Sequence, residues 1–325
     1  MLKRLAGILL TSAFVFGGSA IAIADVGEPT PEHHCPRPGH PHCANTTTTG
    51  APTSSTTVPV TTQPTTSTVA PTTQPPTTPP PTTQPPTTLP PTTTTTPAGE
   101  IPVHSIAVGG LLPSEAECAG RFVPMTENRP QNVPFNNTRG TNPNNEESRV
   151  TGNFVGTTDE IIQWAACKWG MNPDWARAQA GLESWWRQND TYGDWGTDPA
   201  ACIPGHGIGV DGRPGECPQS IGLFQVRYPF HQSAFEDNNA VNSTAYNADY
   251  SLWKWRVCFE GGYQWLNTVE RGRDYAAGDG FGCLGVWYWG RWYTQEALYY
   301  MNRVQNEYFI PRIWTTSTFG APQPR

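Results

Sequence analysis

One acidic side chain in this sequence stands in a setting suited to proton transfer. Glu183 lies in AQAGLESWW, Ala178 to Trp186, just downstream of NPDW, Asn172 to Trp175. Asn172 is a good N-cap, Pro173 suits the first helical position, and Asp174 suits the positive end of the helix dipole. A helix is therefore predicted from about Pro173 to about Arg187. On it Trp175, Ala178, Leu182 and Trp185 recur at three- and four-residue steps and form one apolar stripe. Glu183 falls on the adjoining stripe with Ala176 and Ala180, where small side chains let another element pack closely. A carboxyl enclosed beside Trp185 and Trp186 holds its proton to higher pH than an exposed one, which suits a general acid. The plainer alternative is a surface Glu paired with Arg187 at i+4.

Further groups could share the work. SIGLFQV, Ser220 to Val226, offers a Gly-bearing turn whose backbone can approach a ligand, and Gln225 is both donor and acceptor. The acids Asp190, Asp194, Asp198, Asp211 and Glu216 lie in the loop region before or around it, and no sequence neighbourhood singles one out. Thirteen Trp, twelve Phe and eleven Tyr are too many to ignore. Some must be core. Flat rings also serve sugar binding, because pyranose C–H faces are apolar while the hydroxyls need hydrogen bonds. Trp186, Trp195, Trp287, Trp289 and Trp292 are the groove candidates, each with core packing as its alternative. No P-loop, GxGxxG, HExxH or GxSxG is present. His206 and His231 lack a nearby nucleophile in a recognisable setting. A net charge of −7 without a basic cluster of more than two or three residues argues against nucleic acid. No cofactor is expected, and no metal at the site.

The elements that must position these residues occupy only part of the chain. Residues 1–24, with Lys3, Arg4, an apolar run and Ala22-Ile23-Ala24, read as a secretory signal peptide. No membrane attachment is expected after its removal, and a secreted, extracellular or wall-associated location follows. Export makes the eight cysteines disulfide formers. Residues 25–44 hold HHCPRPGHPHC, where a local Cys35–Cys43 bridge is preferred over a metal site. Residues 45–99 are almost wholly Thr and Pro, with PTTQPPTT occurring twice. Such a stretch has nothing to bury and remains a disordered linker suited to O-glycosylation. At roughly 3.1 Å per residue it would reach on the order of 160 Å fully extended.

Residues 100–156 form a loop-rich arm expected to lie on the domain surface, tethered through Cys118. The core of the domain is residues 157–314. It opens with a capping-box pattern at Thr157 to Glu160 and a helix whose buried stripe is Ile161, Ile162, Ala165, Ala166 and Trp169, ended by Gly170. After the Glu183 helix comes a Gly-, Pro- and Asp-rich region. Cys202–Cys217 would stiffen its later part by roughly 3 kcal/mol on the loop-entropy model. Tyr246 to Phe259 and Tyr263 to Val269 read as helices, Gly282 to Tyr293 as an aromatic loop, and Thr294 as the cap of a last helix through about Tyr308. A loose tail, residues 315–325, follows. Linking segments adjacent in chain order gives Cys118–Cys167, Cys202–Cys217 and Cys258–Cys283 as the expected pairs. The coarse class is mainly α, with an irregular lobe or small sheet after Glu183.

At this point a resemblance can be stated. KWGMNPDWARAQAGLESWW resembles the opening of the soluble lytic transglycosylase and goose-type lysozyme families, where a helix-Gly-x-x-Pro-helix unit ends in Glu-Ser. Glu183 and Ser184 stand at the family's catalytic Glu and following Ser. SIGLFQV is similar to its Gly-Leu-Met-Gln turn, with Phe224 for Met, which implies substrate contacts at Gly222 and Gln225. Asn247 matches the Asn that opens a later family helix, while Ser251 stands where Gly is usual. The Ala-Tyr-Asn-Ala-Gly signature is absent, and VWYWG, with Trp287, Tyr288 and Trp289, sits in about its place without the Asn. The resemblance covers about Thr157 to Val304.

It implies an α+β lysozyme-like domain that cleaves the β-1,4 bond between N-acetylmuramic acid and N-acetylglucosamine in peptidoglycan. The expected partner is the glycan strand, the expected state a monomer. The chemistry agrees, since a glycosidic oxygen leaves well only if protonated as the bond breaks. In the transglycosylase route Glu183 gives that proton and then takes one from the muramic C6 hydroxyl, which attacks C1 and closes a 1,6-anhydro ring. A lysozyme-type hydrolase on the same bond, which would enlist one of the loop acids, is the alternative. A wall-binding module that has lost catalysis is a third.

Overall fold

The computed structural model describes residues 101–141, 148–191, 193–272 and 274–319. The signal peptide, the Cys35–Cys43 segment, the Thr/Pro linker and residues 320–325 lie outside them. The folded body is mainly helical. Its helices are α1 (Glu115–Ala119), α2 (Val133–Asn136), α3 (Thr158–Trp169), α4 (Pro173–Ser184), α5 (Asn239–Asn242), α6 (Thr244–Phe259), α7 (Gly280–Trp289) and α8 (Gln295–Arg303). Two antiparallel two-stranded ladders follow α4. The first pairs β1 (Trp195–Gly196) with β2 (Cys217–Pro218), and the second pairs β3 (Ser220–Ile221) with β4 (Val226–Arg227). No helix among the described residues is long and apolar enough to cross a membrane.

Local chemistry explains the best-formed helices. Thr157 and Glu160 make a reciprocal capping box on α3, and Gly170 ends it at φ 69°. Asn172 caps α4 by accepting from Asp174 N at 3.0 Å, with Pro173 at its first position. Ser243 caps α6, which is buried along its whole length. Two of its buried charged residues are paired. Asp249 accepts from Lys168 Nζ and from Trp169 Nε1, each at 2.6 Å. Arg256 donates to the carbonyls of Ile106 and Ala107. Such matching is what makes a buried charge tolerable.

The cysteines pair as Cys118–Cys167, Cys202–Cys217 and Cys258–Cys283. These join α1 to α3, close the lobe between the strands of the first ladder, and join α6 to α7. They suit an oxidising compartment.

Several expectations are corrected. The predicted aromatic loop over Gly282 to Tyr293 is in its first part helix α7, started by Asp279 and ended by Gly290 at φ 61°. Its glycines weaken helix propensity, yet they are packing sites. A Cβ on Gly285 would lie 2.6 Å from Met301 Sδ of α8, and one on Gly282 2.5 Å from the Trp292 ring. The predicted helix over Tyr263 to Val269 is replaced by separate 3₁₀ turns, Gln264–Leu266 and Val269–Arg271. Thr294 does stand at the N-cap of α8, though without a side-chain cap bond, and the helical path continues through a π-helical turn, Val304–Phe309. That turn packs on α4, where Gly181 leaves room for Tyr308. The arm does not merely lie on the surface. Arg129, Asn132 and Asn136 in it are buried, and Glu127 accepts from Thr158 N at 2.8 Å. The described part of the tail is anchored at Phe319, which is buried although residues 315–318 are exposed.

Candidate active site

Glu183 is the penultimate residue of α4 and is 2% exposed. It does not take Arg187 as partner, which lies by Asp190 at 3.6 Å instead. The Tyr300 hydroxyl of α8 donates to Glu183 Oε1. Glu183 Oε2 is buried with no hydrogen-bond partner among the described residues. Burial first, and the Glu183 carboxylate second, push the Tyr300 phenol well above its ordinary value, so Tyr300 remains a donor. Tyr300 stacks face to face on Tyr288 of α7, ring centroids 4.6 Å apart. The Tyr288 phenol is raised as well, by burial, then by Glu183, then by Asp194. The nearest features of the site thus come from three helices and the loop lobe.

The helix carrying Glu183 stops one residue later because Trp185 turns left-handed, at φ 57° and ψ 34°, and Trp186 follows at φ 62°. For a residue with a Cβ each such conformation costs about 1–2 kcal/mol. It persists where the surroundings over-determine it, and here they do. Arg129 Nε donates to the Trp185 carbonyl and Asn132 Nδ2 to that of Trp186, each at 2.7 Å. Trp186 Nε1 donates to Arg177 O at 2.9 Å.

Beside the end of α4 lies the Gly222 to Gln225 turn that joins β3 to β4. Its peptide groups are accounted for one by one. Gly222 N donates to Asp190 O at 3.1 Å, and Gln225 N closes the turn on Gly222 O at 3.0 Å. Leu223 N donates to Gln188 Oε1 at 3.2 Å, and Leu223 O accepts from Ser184 Oγ at 2.8 Å. Phe224 N donates to Asn247 Oδ1 at 3.0 Å, and Phe224 O accepts from Trp287 Nε1 at 3.1 Å. Gly222 stands at φ 89°, and a Cβ there would collide with Asn247 Nδ2.

These bonds place the residues expected to meet substrate. Ser184 and Asn247 are buried and their side chains hold the turn to α4 and α6. Gln225, at φ 51°, is also buried, with its Nε2 on the carbonyls of Asp190 and Gly222 and its Oε1 on Gly193 N. Trp186 is 0% exposed and belongs to the core, correcting its assignment to the groove, and Trp292 is likewise core. Tyr288 is buried against Tyr300. Trp195, Trp287 and Trp289 retain partial exposure. Arg213 lies 4.2 Å over the Trp195 ring, and His231 stacks on Trp287 at 5.5 Å.

Tyr300, Arg129 and Asn132 are site residues that sequence reading missed, and Asp194 was left among several equal candidates. Its burial and its effect on the Tyr288 phenol now separate Asp194. It is 4% exposed, accepts from Ser220 Oγ at 2.5 Å, and has Arg227 Nε at 3.8 Å. Asp198 caps its own exposed turn, Asp211 pairs with His206 at 3.0 Å, and Glu216 lies 3.8 Å from Arg213. Comparison of the chain with protein-family models, with curated proteins and with solved structures finds no match.

Proposed function

We propose that this chain is a secreted, lysozyme-like enzyme that cleaves peptidoglycan glycan strands as a lytic transglycosylase, with Glu183 as acid and then base. The observation that carries the reading is the Glu183 carboxyl itself. It is enclosed at a helix end, with one oxygen held by Tyr300 and the other without a partner among the described residues. Tyr300 can donate to Oε1 whether or not the carboxyl is protonated. That leaves Oε2 as the oxygen that carries the transferable proton.

In the first half of the reaction the Oε2 proton goes to the β-1,4 oxygen as the C1–O bond of the muramic residue breaks. In the second half the muramic C6 oxygen bonds to C1 and its proton returns to Glu183. The product ends in a 1,6-anhydro ring, and no water is consumed. The disulfide-bonded body supports an extracellular or wall-associated site of action.

A second reading rests on Asp194. Buried, and close enough to bear on the same Tyr288 hydroxyl as Glu183, it suits the second carboxylate of a hydrolase, where water would attack C1 in place of the C6 hydroxyl. Mass spectrometry of muropeptides released from purified sacculi tests both. Anhydro ends, one water lighter than reducing ends, support the transglycosylase. Reducing ends move the chain to the hydrolases. Release by Glu183→Gln at the unaltered rate would remove the enzyme reading.

A further inference from the structure

The C-terminal segment returns to the helix that carries Glu183. Phe319 is 1% exposed, although residues 315–318 leading to it are exposed. Its ring lies 4.7 Å from that of Trp185 and 4.9 Å from that of Trp186, edge-on to the latter. The Arg129 guanidinium lies 4.1 Å over the same ring. Arg129 also bridges the two segments by hydrogen bonds, with Nη2 donating to Phe319 O at 2.6 Å and Nε to Trp185 O at 2.7 Å. A short turn sets the approach, with Phe319 N on Thr316 O and Thr316 Oγ1 on Ile313 O. One apolar side chain near the end of the protein thus packs on both left-handed residues that stop α4 immediately after Glu183 and Ser184.

We infer that Phe319, clamped by Arg129, is a positioning residue for Glu183, acting through Trp185 and Trp186. The left-handed pair is strained and relaxes if its supports are removed. Relaxation toward ordinary helical angles would extend α4 and turn its last residues, carrying the Ser184 link to the turn and the Glu183 carboxyl out of register with Tyr300. Asn132 and the Trp186 indole bond hold the second residue of the pair. The supports of the first are the Arg129 bond, the edge-on Tyr308 ring at 6.2 Å and the Phe319 ring at 4.7 Å. The inference rests on the catalytic reading of Glu183, but the conformational part of it can be read without activity.

The experiment compares the full chain with Phe319→Ala, with the milder Phe319→Leu, and with a chain ended at Thr318. Turnover is measured on solubilised glycan strands, and backbone amide exchange on peptides covering 183–188, α3 and α6. A small displacement of a reacting group costs rate far more than binding, so kcat should fall roughly tenfold to a hundredfold. KM should stay within about twofold. Exchange should rise at Trp185 to Gln188 and not in α3 or α6, with Phe319→Leu recovering part of both losses. Unchanged exchange at those residues overturns the inference, whatever happens to kcat. So does an exchange increase spread equally over α3 and α6, which marks a general loss of stability. Unchanged kcat despite local exchange overturns the positioning role. If the unaltered protein leaves the glycan uncut, the enzyme reading fails by itself, and local exchange still decides whether the tail locks the end of α4.

Discussion

At the scale of single residues, the role proposed for Glu183 sets two demands. It must be shielded enough to act as an acid, and, because Oε2 is buried, the site must open before a glycan can take its proton. Burial supplies the shielding, and Tyr300, from 117 residues downstream, holds one carboxyl oxygen and would steady the charge left there when the proton departs. A hydrogen bond to a charged group contributes about 1.5–3 kcal/mol. If all of it is felt in the transition state, Tyr300→Phe should slow turnover by roughly ten- to a hundredfold. Initial rates on glycan strands, with the melting temperature measured alongside, check this. Rates equal to those of the unaltered protein would show that the contact is incidental. Glu183→Gln keeps shape and reach but moves no proton, and should cost at least about a hundredfold with little change in melting temperature. Asp194→Asn separates the two outcomes. It should cost less than about tenfold if Glu183 acts alone, and about as much as Glu183→Gln if Asp194 directs water.

Among elements, the β3–β4 turn and the α7–α8 pair decide most. Because Gln225 serves three buried backbone groups, Gln225→Ala should behave first as a stability variant, losing about 1–3 kcal/mol. Urea denaturation reads that directly, and an unchanged midpoint with impaired turnover would return Gln225 to substrate contact. In α7, Gly282→Ala pits two effects against each other. Helix propensity gains about 1 kcal/mol, while overpacking costs about 1–3 kcal/mol. Carbons of the Trp292 ring would lie 2.5 Å and 2.7 Å from the new methyl, and a packed indole cannot give way as a flexible chain end can. The cost should win, lowering the denaturation midpoint. A raised midpoint would mean that the α7 glycines are there for something other than close approach.

For the whole molecule, the composition change near residue 100 and the buried body beyond it predict that residues 100–325 fold alone. A single cooperative melt is expected, together with the activity of the full chain on solubilised strands. Peptide mapping under non-reducing conditions should recover Cys118–Cys167, Cys202–Cys217 and Cys258–Cys283 from it.

Its response to base follows from buried phenols. Burial pushes Tyr275 up to about 12 and raises Tyr263, Tyr288 and Tyr300 as well. In the unfolded chain these phenols lose their protons near an ordinary value of about 10. The folded form holds its protons longer, so the stability they contribute is complete below about pH 10 and is lost as pH rises above it. Thermal melts between about pH 9 and 11 should fall steadily, with a shallower slope in Tyr275→Phe. An equal slope in that variant would show that Tyr275 is not among the groups responsible.

What the sequence determined on its own was decided within a turn or two of chain. Thr157 with Glu160, and Asn172 with Pro173, announce α3 and α4 because capping is a contact between near neighbours. The disulfide pairs were legible because each joins segments adjacent in chain order. Glu183 could be picked out by its stripe and its tryptophans, but its partner could not. Tyr300 is one of many Tyr residues until the fold brings its hydroxyl to the end of α4. Likewise Trp185 and Trp186 read as helix, since no local signal asks a tryptophan to turn left-handed. Arg129, Asn132 and Phe319, all distant in sequence, make that conformation tenable. The glycines of α7 read as loop for the same reason. A missing Cβ weakens a helix on its own, and only the closeness of Trp292 and Met301 makes its absence necessary.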